Sequence, residues 1–307
     1  MIHIINRLKY FLYRRIINIK VSNPLSLKFL YVFIVTLITR PSIIAVIFKN
    51  YKYILKLWSN SVLYLSNTGV LFIERKKYLV CIPTSYQNSK NLSQSYLNHK
   101  KLKQKCNLLD YKFKQFKNIY IIEKLKTPTL DFDVVSLLLK IHNIEIFNKY
   151  DSNTLREYTY NRYFFQSIEI KEICKYIIPN INDKKISYVH GDFHNDNILQ
   201  NHSEKICIID LDRFSIYFSC IDMHNLNLMK ASKENNVFWS EIALSILEDP
   251  KTSFDYKIEI VLFMIFRYYY DTRYPGTGLE NYYKKKYKYF FLKAKIILEC
   301  NSKLSLG

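Results

Sequence analysis

One short polar stretch and the acid that follows it carry the clearest chemistry in this sequence. The stretch Tyr-Val-His-Gly-Asp-Phe-His-Asn-Asp-Asn, residues 188–197, contains Asp192 and, five residues later, Asn197. The acid Asp210 follows an apolar run at 206–209. Transfer of a γ-phosphoryl group to a hydroxyl requires a carboxylate that orients or deprotonates the hydroxyl, and oxygen ligands for Mg²⁺. The residue types and their spacing therefore predict the catalytic half of a phosphoryl-transfer site.

The elements that must position these groups are predicted from hydrophobic patterning. The run at 206–209 is typical of a buried strand, so the carboxylate of Asp210 is expected to emerge from a rigid element. Short β-branched and aromatic runs separated by turn residues predict four more strands. These runs lie at 62–65, 70–73, 78–82 and 119–122.

Helical periodicity dominates the second half of the chain. Apolar residues recur on one helical face from Asp131 to His142, and a second helical stretch is predicted over 154–176. The aromatic tail at 254–298 is also predicted to be helical, with a break at 274–278, and a shorter helix is expected around 95–105. Strands followed by helices indicate the α+β class.

The first 58 residues mix basic and apolar groups. Their apolar run at 29–38 is interrupted by Arg40 and Pro41 and is shorter than the ~20 residues that a membrane-spanning helix needs. We favour a helical pair packed on the rest of the protein. A helix lying on an anionic membrane surface is the alternative, because basic flanks and aromatic residues suit an interface. The segment lacks the small-residue cleavage site of a signal peptide, so secretion is not expected.

Composition limits the partners. The chain has 307 residues, of which 49% are hydrophobic, enough for one large core or two modest lobes. A formal charge of +20 favours acidic partners such as nucleotides, phosphorylated sugars or anionic lipid, and disfavours a polycationic substrate. The six cysteines contain no C-x-x-C pair, which indicates a reduced, cytoplasmic compartment.

The catalytic stretch resembles that of the aminoglycoside phosphotransferase and choline kinase branch of the protein-kinase-like fold. His190-Gly191-Asp192 with Asn197 matches the family's His-Gly-Asp-x-x-x-x-Asn catalytic loop, and Asp210 stands in the place of the metal-binding Asp. Three softer matches lie in the expected order along the chain. They are 121–125, similar to the hinge between lobes, 138–142, similar to the helix before the catalytic loop, and 218–223, in which Asp222 is similar to an acid that braces the loops.

The resemblance implies a two-lobed architecture and a division of the chain. A small antiparallel-sheet lobe that binds nucleotide is expected at 59–125, and a larger helical lobe with the catalytic loop at 126–307. Residues 1–58 form a separate basic and apolar helical segment in this division.

The resemblance also implies roles for individual residues. Asp192 is the catalytic base or hydroxyl-orienting group, and His190 supports the backbone of the catalytic loop. Asn197 and Asp210 ligate Mg²⁺, while Glu123, Leu125 and Asn197 bind the nucleotide, ATP or GTP. Together these roles predict a kinase that acts on a hydroxyl of a small molecule, such as a sugar or lipid-linked saccharide. Its expected location is the cytoplasm, either free or peripherally bound to the inner face of the membrane.

The sequence departs from the family pattern on the nucleotide side. Cys81 aligns with the lysine that usually binds phosphates, and a neutral thiol cannot supply that charge. Three explanations stay open: a different strand register, substitution by Lys76 or Lys77, or a pseudokinase that binds a ligand or partner without turnover. The turn at 66–69 is a candidate to cover the phosphates through its backbone N–H groups.

Two further patterns have alternative interpretations. His190 and His194 lie four residues apart, with His202 and His224 nearby, which suits a zinc site, but the catalytic-loop interpretation explains the same residues better. Residues 282–291 interleave lysines with aromatic side chains. This pattern suits a packed amphipathic helix or a membrane surface, with nucleic acid the least favoured partner. A basic membrane-surface binding protein is therefore the alternative function from another class.

Overall fold

The computed structural model describes residues 19–20, 27, 31–32, 34–35, 61–66, 70–129, 131–144, 152–235, 237–272 and 280–304. The chain divides into two compact units. The first, which we call the sheet unit, comprises Met1–Leu130 and Ile198–Asp212. The second, the helical unit, comprises Asp131–Asn197 and Arg213–Gly307.

The sheet unit contains a five-stranded antiparallel sheet with the strand order β1-β2-β3-β5-β4. Its first two strands alternate buried and partly buried side chains, as expected for a sheet with two unequal faces. The strands are β1 (Val62–Leu65), β2 (Leu71–Glu74), β3 (Tyr78–Ile82), β4 (Phe113–Phe116) and β5 (Ile119–Glu123). A separate hairpin pairs β7 (Ile198–Gln200) with β8 (Ile206–Ile208).

Helix α1 (Tyr86–Leu102) packs on one face of this sheet. Its Tyr96 ring meets Phe113 edge-on, with 5.4 Å between the ring centroids, and lies near Tyr120. The helix begins earlier than the predicted 95–105 because Ser85 caps it, accepting a hydrogen bond from the Asn88 backbone N–H at 3.1 Å. The first turns are rich in Ser, Asn and Gln, so they carry no apolar periodicity that the sequence could show.

The helical unit is built from seven helices among the described residues and one strand pair, β6 (Ile186–Val189) with β9 (Ser215–Phe218). The helices are α2 (Val134–His142), α3 (Ser152–Thr159), α4 (Ile168–Ile177), α5 (Cys220–Asn235), α6 (Trp239–Glu248), α7 (Phe254–Asp271) and α8 (Glu280–Leu304). The core is rich in buried aromatic rings, and α7 is buried over most of its circumference.

The single helical stretch predicted over 154–176 is wrong in detail. The chain forms α3, a π-helical turn at Tyr160–Phe164, and then α4. Helix α4 restarts because Ser167 caps it, accepting from the Ile170 N–H at 3.2 Å. The turn buries Tyr163 and Phe164 completely, so tertiary packing explains the interruption.

The predicted α+β class is confirmed by the antiparallel sheet of one unit and the helices of the other. Of the N-terminal segment, residues 27, 31–32 and 34–35 are helical, with Val32 and Val35 buried, and most of the predicted pair lies outside the described residues. The predicted break at 274–278 also lies outside them. Within the described residues, no helix is long and apolar enough to cross a membrane.

Candidate active site

A loop after β6 presents the predicted catalytic residues, and a buried carboxylate holds its backbone. Asp222, in the first turn of α5, has no exposed surface and accepts hydrogen bonds from the backbone N–H groups of His190 and Gly191, both at 2.8 Å. The His142 Nε2 lies 3.1 Å from the same carboxylate. Asp222 thus braces the loop in the way the sequence resemblance implied.

Gly191 is required by the backbone of this loop. Its φ is +80°, a conformation that side-chain-bearing residues rarely adopt. A Cβ here would lie 2.7 Å from the Phe266 ring and 2.8 Å from the Arg213 carbonyl oxygen. The loop therefore approaches α7 at a distance that glycine alone permits.

The carboxylate of Asp192 lies between two guanidinium groups of the helical unit. The Arg267 Nη1 is 2.8 Å from its Oδ1, and the Arg213 Nη1 is 3.7 Å from the same oxygen. Burial alone would raise the pKa of Asp192, but the charges of Arg213 and Arg267 outweigh burial and hold the pKa well below its usual range. Asp192 is therefore ionised at neutral pH.

The two arginines are themselves held by a second acid. Asp271 Oδ1 is 3.2 Å from the Arg213 Nη2, and its Oδ2 is 3.2 Å from the Arg267 Nε. The Tyr287 hydroxyl donates to Asp271 at 2.6 Å. Two cations and two carboxylates thus form a nearly neutral buried network around the predicted catalytic group.

Sequence reasoning missed this network. The one available signal is in α7, where Arg267 interrupts an apolar run and Asp271 follows four residues later, on the same helical face. An arginine within a buried helix is rarely left without an acid, so this spacing indicates an ion pair. It does not show that Asp192 joins the pair.

The Asn197 side chain closes the loop onto Asp192. Its Nδ2 donates to the Asp192 carbonyl oxygen at 2.8 Å and lies 3.2 Å from the His194 Nε2. Burial lowers the pKa of His194, which favours the neutral ring that can accept this bond. Because both amide hydrogens point at acceptors, the Oδ1 atom is the part of Asn197 suited to a metal ligand.

His190 supports the same loop from within. The side chain is fully buried, and its Nδ1 accepts from the Asp192 backbone N–H at 3.3 Å. His190, Asp192 and Asn197 are thus brought together by the helical unit, while Asp210, Glu123 and Leu125 belong to the sheet unit.

Asp210 lies two residues after the end of β8 and is exposed in the sheet unit. Its φ of +62° lies in the left-handed region, which Asp tolerates better than most residues. Helix α1 fixes the next residue, since the Leu211 N–H donates to Ser95 Oγ at 3.1 Å and Asn98 Nδ2 donates to the Leu211 carbonyl at 2.7 Å. Contacts with α1 therefore constrain the backbone next to Asp210.

The predicted hinge residues lie at the end of β5. Glu123 is half-buried, and its side chain accepts from the Lys112 N–H at 3.0 Å, while Leu125 is half-buried two residues later. Glu123 also lines a cleft of about 690 Å³ within the sheet unit. The cleft carries four lysines, Lys77, Lys103, Lys112 and Lys114.

This cleft is not on the face of the sheet that carries Cys81. Ile121 lines the cleft, and its neighbour Tyr120, which pairs with Cys81, points to the opposite face. Lys77 thus lines a cleft on the face opposite Cys81. Cys81 is fully buried, and burial raises the pKa of its thiol, so it carries no charge.

The face that carries Cys81 has two other cations, both held by Glu74. Lys20 Nζ lies 2.9 Å from Glu74 Oε2, and Lys124 Nζ lies 2.6 Å from its Oε1. Glu74 pairs with Leu79 across the strands, so its side chain shares the face of Cys81. These two lysines and the one carboxylate between them leave a net positive charge on this face.

No family model matches the chain, and no curated protein matches it in sequence. Among solved structures, it is similar to the choline kinase LicA from Streptococcus pneumoniae, with 15% identity, a TM-score of 0.43, and coverage of 78% of this chain and 90% of that one. A choline/ethanolamine kinase family protein from Mesorhizobium loti matches with 11% identity, a TM-score of 0.42, and coverage of 77% and 88%.

A third similar structure is the aminoglycoside phosphotransferase APH(2'')-Ib, ADP-bound, with 14% identity, a TM-score of 0.42, and coverage of 78% of this chain and 91% of that one. These are the families that the sequence motifs predicted. With TM-scores of 0.42–0.43 the likeness is distant, and it carries no assignment of function.

Proposed function

We propose that the chain is an ATP- or GTP-dependent and Mg²⁺-dependent phosphotransferase that moves a γ-phosphoryl group to a hydroxyl of a small molecule. One observation carries the proposal: an ionised Asp192 and the amide of Asn197 share one loop whose backbone is fixed by the buried Asp222. This arrangement supplies an anionic group for the acceptor and an oxygen for the metal.

Asp192 acts in this proposal mainly by orienting the acceptor. A carboxylate with a strongly lowered pKa accepts a hydrogen bond well but is a weak base. Phosphoryl transfer through a loose transition state needs little early deprotonation, so positioning is the larger contribution. When bound, Mg²⁺ neutralises charge on the nucleotide phosphates, and Asn197 and Asp210 are the residues we propose as its ligands.

The class of acceptor is proposed from charge. A chain of +20 favours an acidic or membrane-borne acceptor, such as a sugar or lipid-linked saccharide, over a cationic one. The same charge is consistent with a cytoplasmic protein that contacts the inner face of the membrane.

Nucleotide binding is expected to depend on Asp210. Mg²⁺ with ATP or GTP should raise the unfolding midpoint of the full chain, because a ligand at 100 times its Kd stabilises by about 2.7 kcal/mol. Asp210→Ala should lose most of this metal-dependent shift. Asp183→Ala, at an exposed position of the helical unit, is the control and should keep it. No shift with either nucleotide at millimolar concentration would instead favour the pseudokinase alternative.

The surface of α8 favours peripheral membrane contact as a second candidate function. Tyr289, Leu292 and Ile296 are 54%, 45% and 60% exposed and share a helical face, while the opposite face is buried. Exposed lysines, including Lys285 and Lys288, flank this stripe.

Membrane contact predicts salt-dependent co-flotation with vesicles. The protein is expected to float with vesicles containing anionic lipid at low salt, less at high salt, and not with neutral vesicles. Leu292→Ser with Ile296→Ser should reduce the bound fraction severalfold, whereas Leu97→Ser, an exposed leucine on α1, should not. Equal flotation of both variants would exclude this surface.

A further inference from the structure

A cluster of three ligand-type side chains lies in the helical unit, away from the residues assigned above. Cys220 and His224 occupy one face of α5 at a spacing of four residues, and Glu259 faces them from α7. One ligand atom from each residue lies within 4.8 Å of the other two. The His224 Nε2 is already 2.9 Å from Glu259 Oε2.

The histidine of this cluster is incompletely satisfied. His224 is 4% exposed, and its Nδ1 has no hydrogen-bond partner among the residues that the structure describes. Buried polar atoms are nearly always paired, so such an atom needs an explanation. Cys220 is a free thiol beside it. The buried imidazole and the neighbouring thiol are donor groups for a ligand with affinity for nitrogen and sulfur.

We propose that Cys220, His224 and Glu259 bind a divalent transition-metal ion, with Zn²⁺ as the best match. Thiolate, imidazole and carboxylate are the three donor types that zinc takes in proteins, and a water molecule completes four-coordination. Around a tetrahedral zinc, such ligand atoms lie about 3.4–3.6 Å apart, as follows from metal–ligand distances of ~2.0–2.3 Å. Shifts of about an ångström in the side-chain atoms therefore bring the three ligand atoms to these separations.

The charges around the cluster are compatible with a dication. Lys184 Nζ lies 2.7 Å from Glu259 Oε1 and 2.6 Å from Asp255 Oδ2, so it holds the carboxylate in orientation, and metal binding to Oε2 replaces the hydrogen bond between Oε2 and His224 Nε2. On binding, the Cys220 thiol gives up its proton to solvent. The net charge of the site is then zero, because the dication and the Lys184 ammonium group offset the Cys220 thiolate and the carboxylates of Asp255 and Glu259.

The site has a structural consequence. Asp222, which holds the backbone of the loop at 190–191, lies between Cys220 and His224 on α5. A metal that joins α5 to α7 at this point stabilises the helix turn that carries Asp222. We therefore assign the ion a structural role, and the inference does not depend on the proposed phosphotransferase activity.

Cobalt provides a direct test with the full chain. Protein treated with a chelator and then dialysed is titrated with Co²⁺, and one ion per chain is expected, with a thiolate-to-cobalt charge-transfer band. Cys220→Ser should abolish the band and weaken Co²⁺ binding by about tenfold or more, in line with the loss of a ligand. Cys300→Ser, at an exposed cysteine, is the matched control and should leave the band unchanged.

Unfolding provides a second readout, since Zn²⁺ should raise the unfolding midpoint of the native chain and of Cys300→Ser but not of Cys220→Ser. Circular dichroism of Cys220→Ser without metal establishes that this variant is folded, and Glu259→Gln is the second ligand variant if it is not. Failure of the native chain to bind Co²⁺, or a charge-transfer band that persists in Cys220→Ser, would overturn the proposal.

Discussion

Asp192→Asn is expected to lower phosphoryl transfer by about 10²–10⁴-fold, the range for loss of a positioned acid–base group. The amide can still accept hydrogen bonds from Arg267 and Arg213, and Asp271 still binds both, so the fold and nucleotide affinity should change little. The measurement is single-turnover transfer of labelled γ-phosphate to water or an acceptor pool, together with the nucleotide-induced shift in unfolding midpoint.

Asp196→Asn is the matched control for this experiment. Asp196 lies on the same loop, is exposed, and pairs with Lys233 at 2.6 Å. Its loss should leave transfer nearly unchanged, because the Asp196 side chain contacts Lys233 and His194 rather than the arginines that flank Asp192. If Asp192→Asn retained full activity, Asp192 could not be the group that orients the acceptor.

Asp222→Ala is expected to destabilise the helical unit by about 3–5 kcal/mol, because it leaves two buried N–H donors without an acceptor and His142 without its partner. The free energy of unfolding is measured by denaturant titration. Asp255→Ala is the control, since Asp255 is 64% exposed against 0% for Asp222 and its pair with Lys184 is at the surface.

The control should change stability by no more than about 1 kcal/mol, the usual range for surface ion pairs. Comparable losses in the two variants would mean that Asp222 does not hold the loop. Partial rescue of transfer in Asp222→Ala at low temperature is also expected, because cooling favours the ordered loop of a destabilised fold.

The parts of this structure that the sequence predicted are those that depend on neighbouring residues. Strands β1, β2 and β3 were placed within one residue, because turn residues bound each short apolar run. The start of α1 was missed because a single capping serine determines it, and the strand β4 was missed because three of its four side chains are exposed.

In the candidate site, too, the sequence predicted the features that neighbouring residues determine and missed those that depend on distant residues. The loop with Asp192 and Asn197 was predicted from its spacing, whereas β6, the strand that precedes it, was not predicted. The ion pairs of Asp192 with Arg213 and Arg267 were not predicted, because Arg267 lies 75 residues from Asp192 in the sequence. The spacing of the histidines likewise draws attention to His190 and His194, with His224 only nearby, while the cluster that the structure forms joins His224 to Cys220 and a distant glutamate.

The hairpin of β7 and β8 belongs to the sheet unit although it is encoded between two parts of the helical unit. Gln200 ties it to the earlier chain through backbone bonds to Lys126 at 2.7 and 2.8 Å. During synthesis, the sheet unit therefore lacks this hairpin until residue 212 has left the ribosome, after the first part of the helical unit has been made. A fragment ending at residue 130 would omit part of the sheet unit.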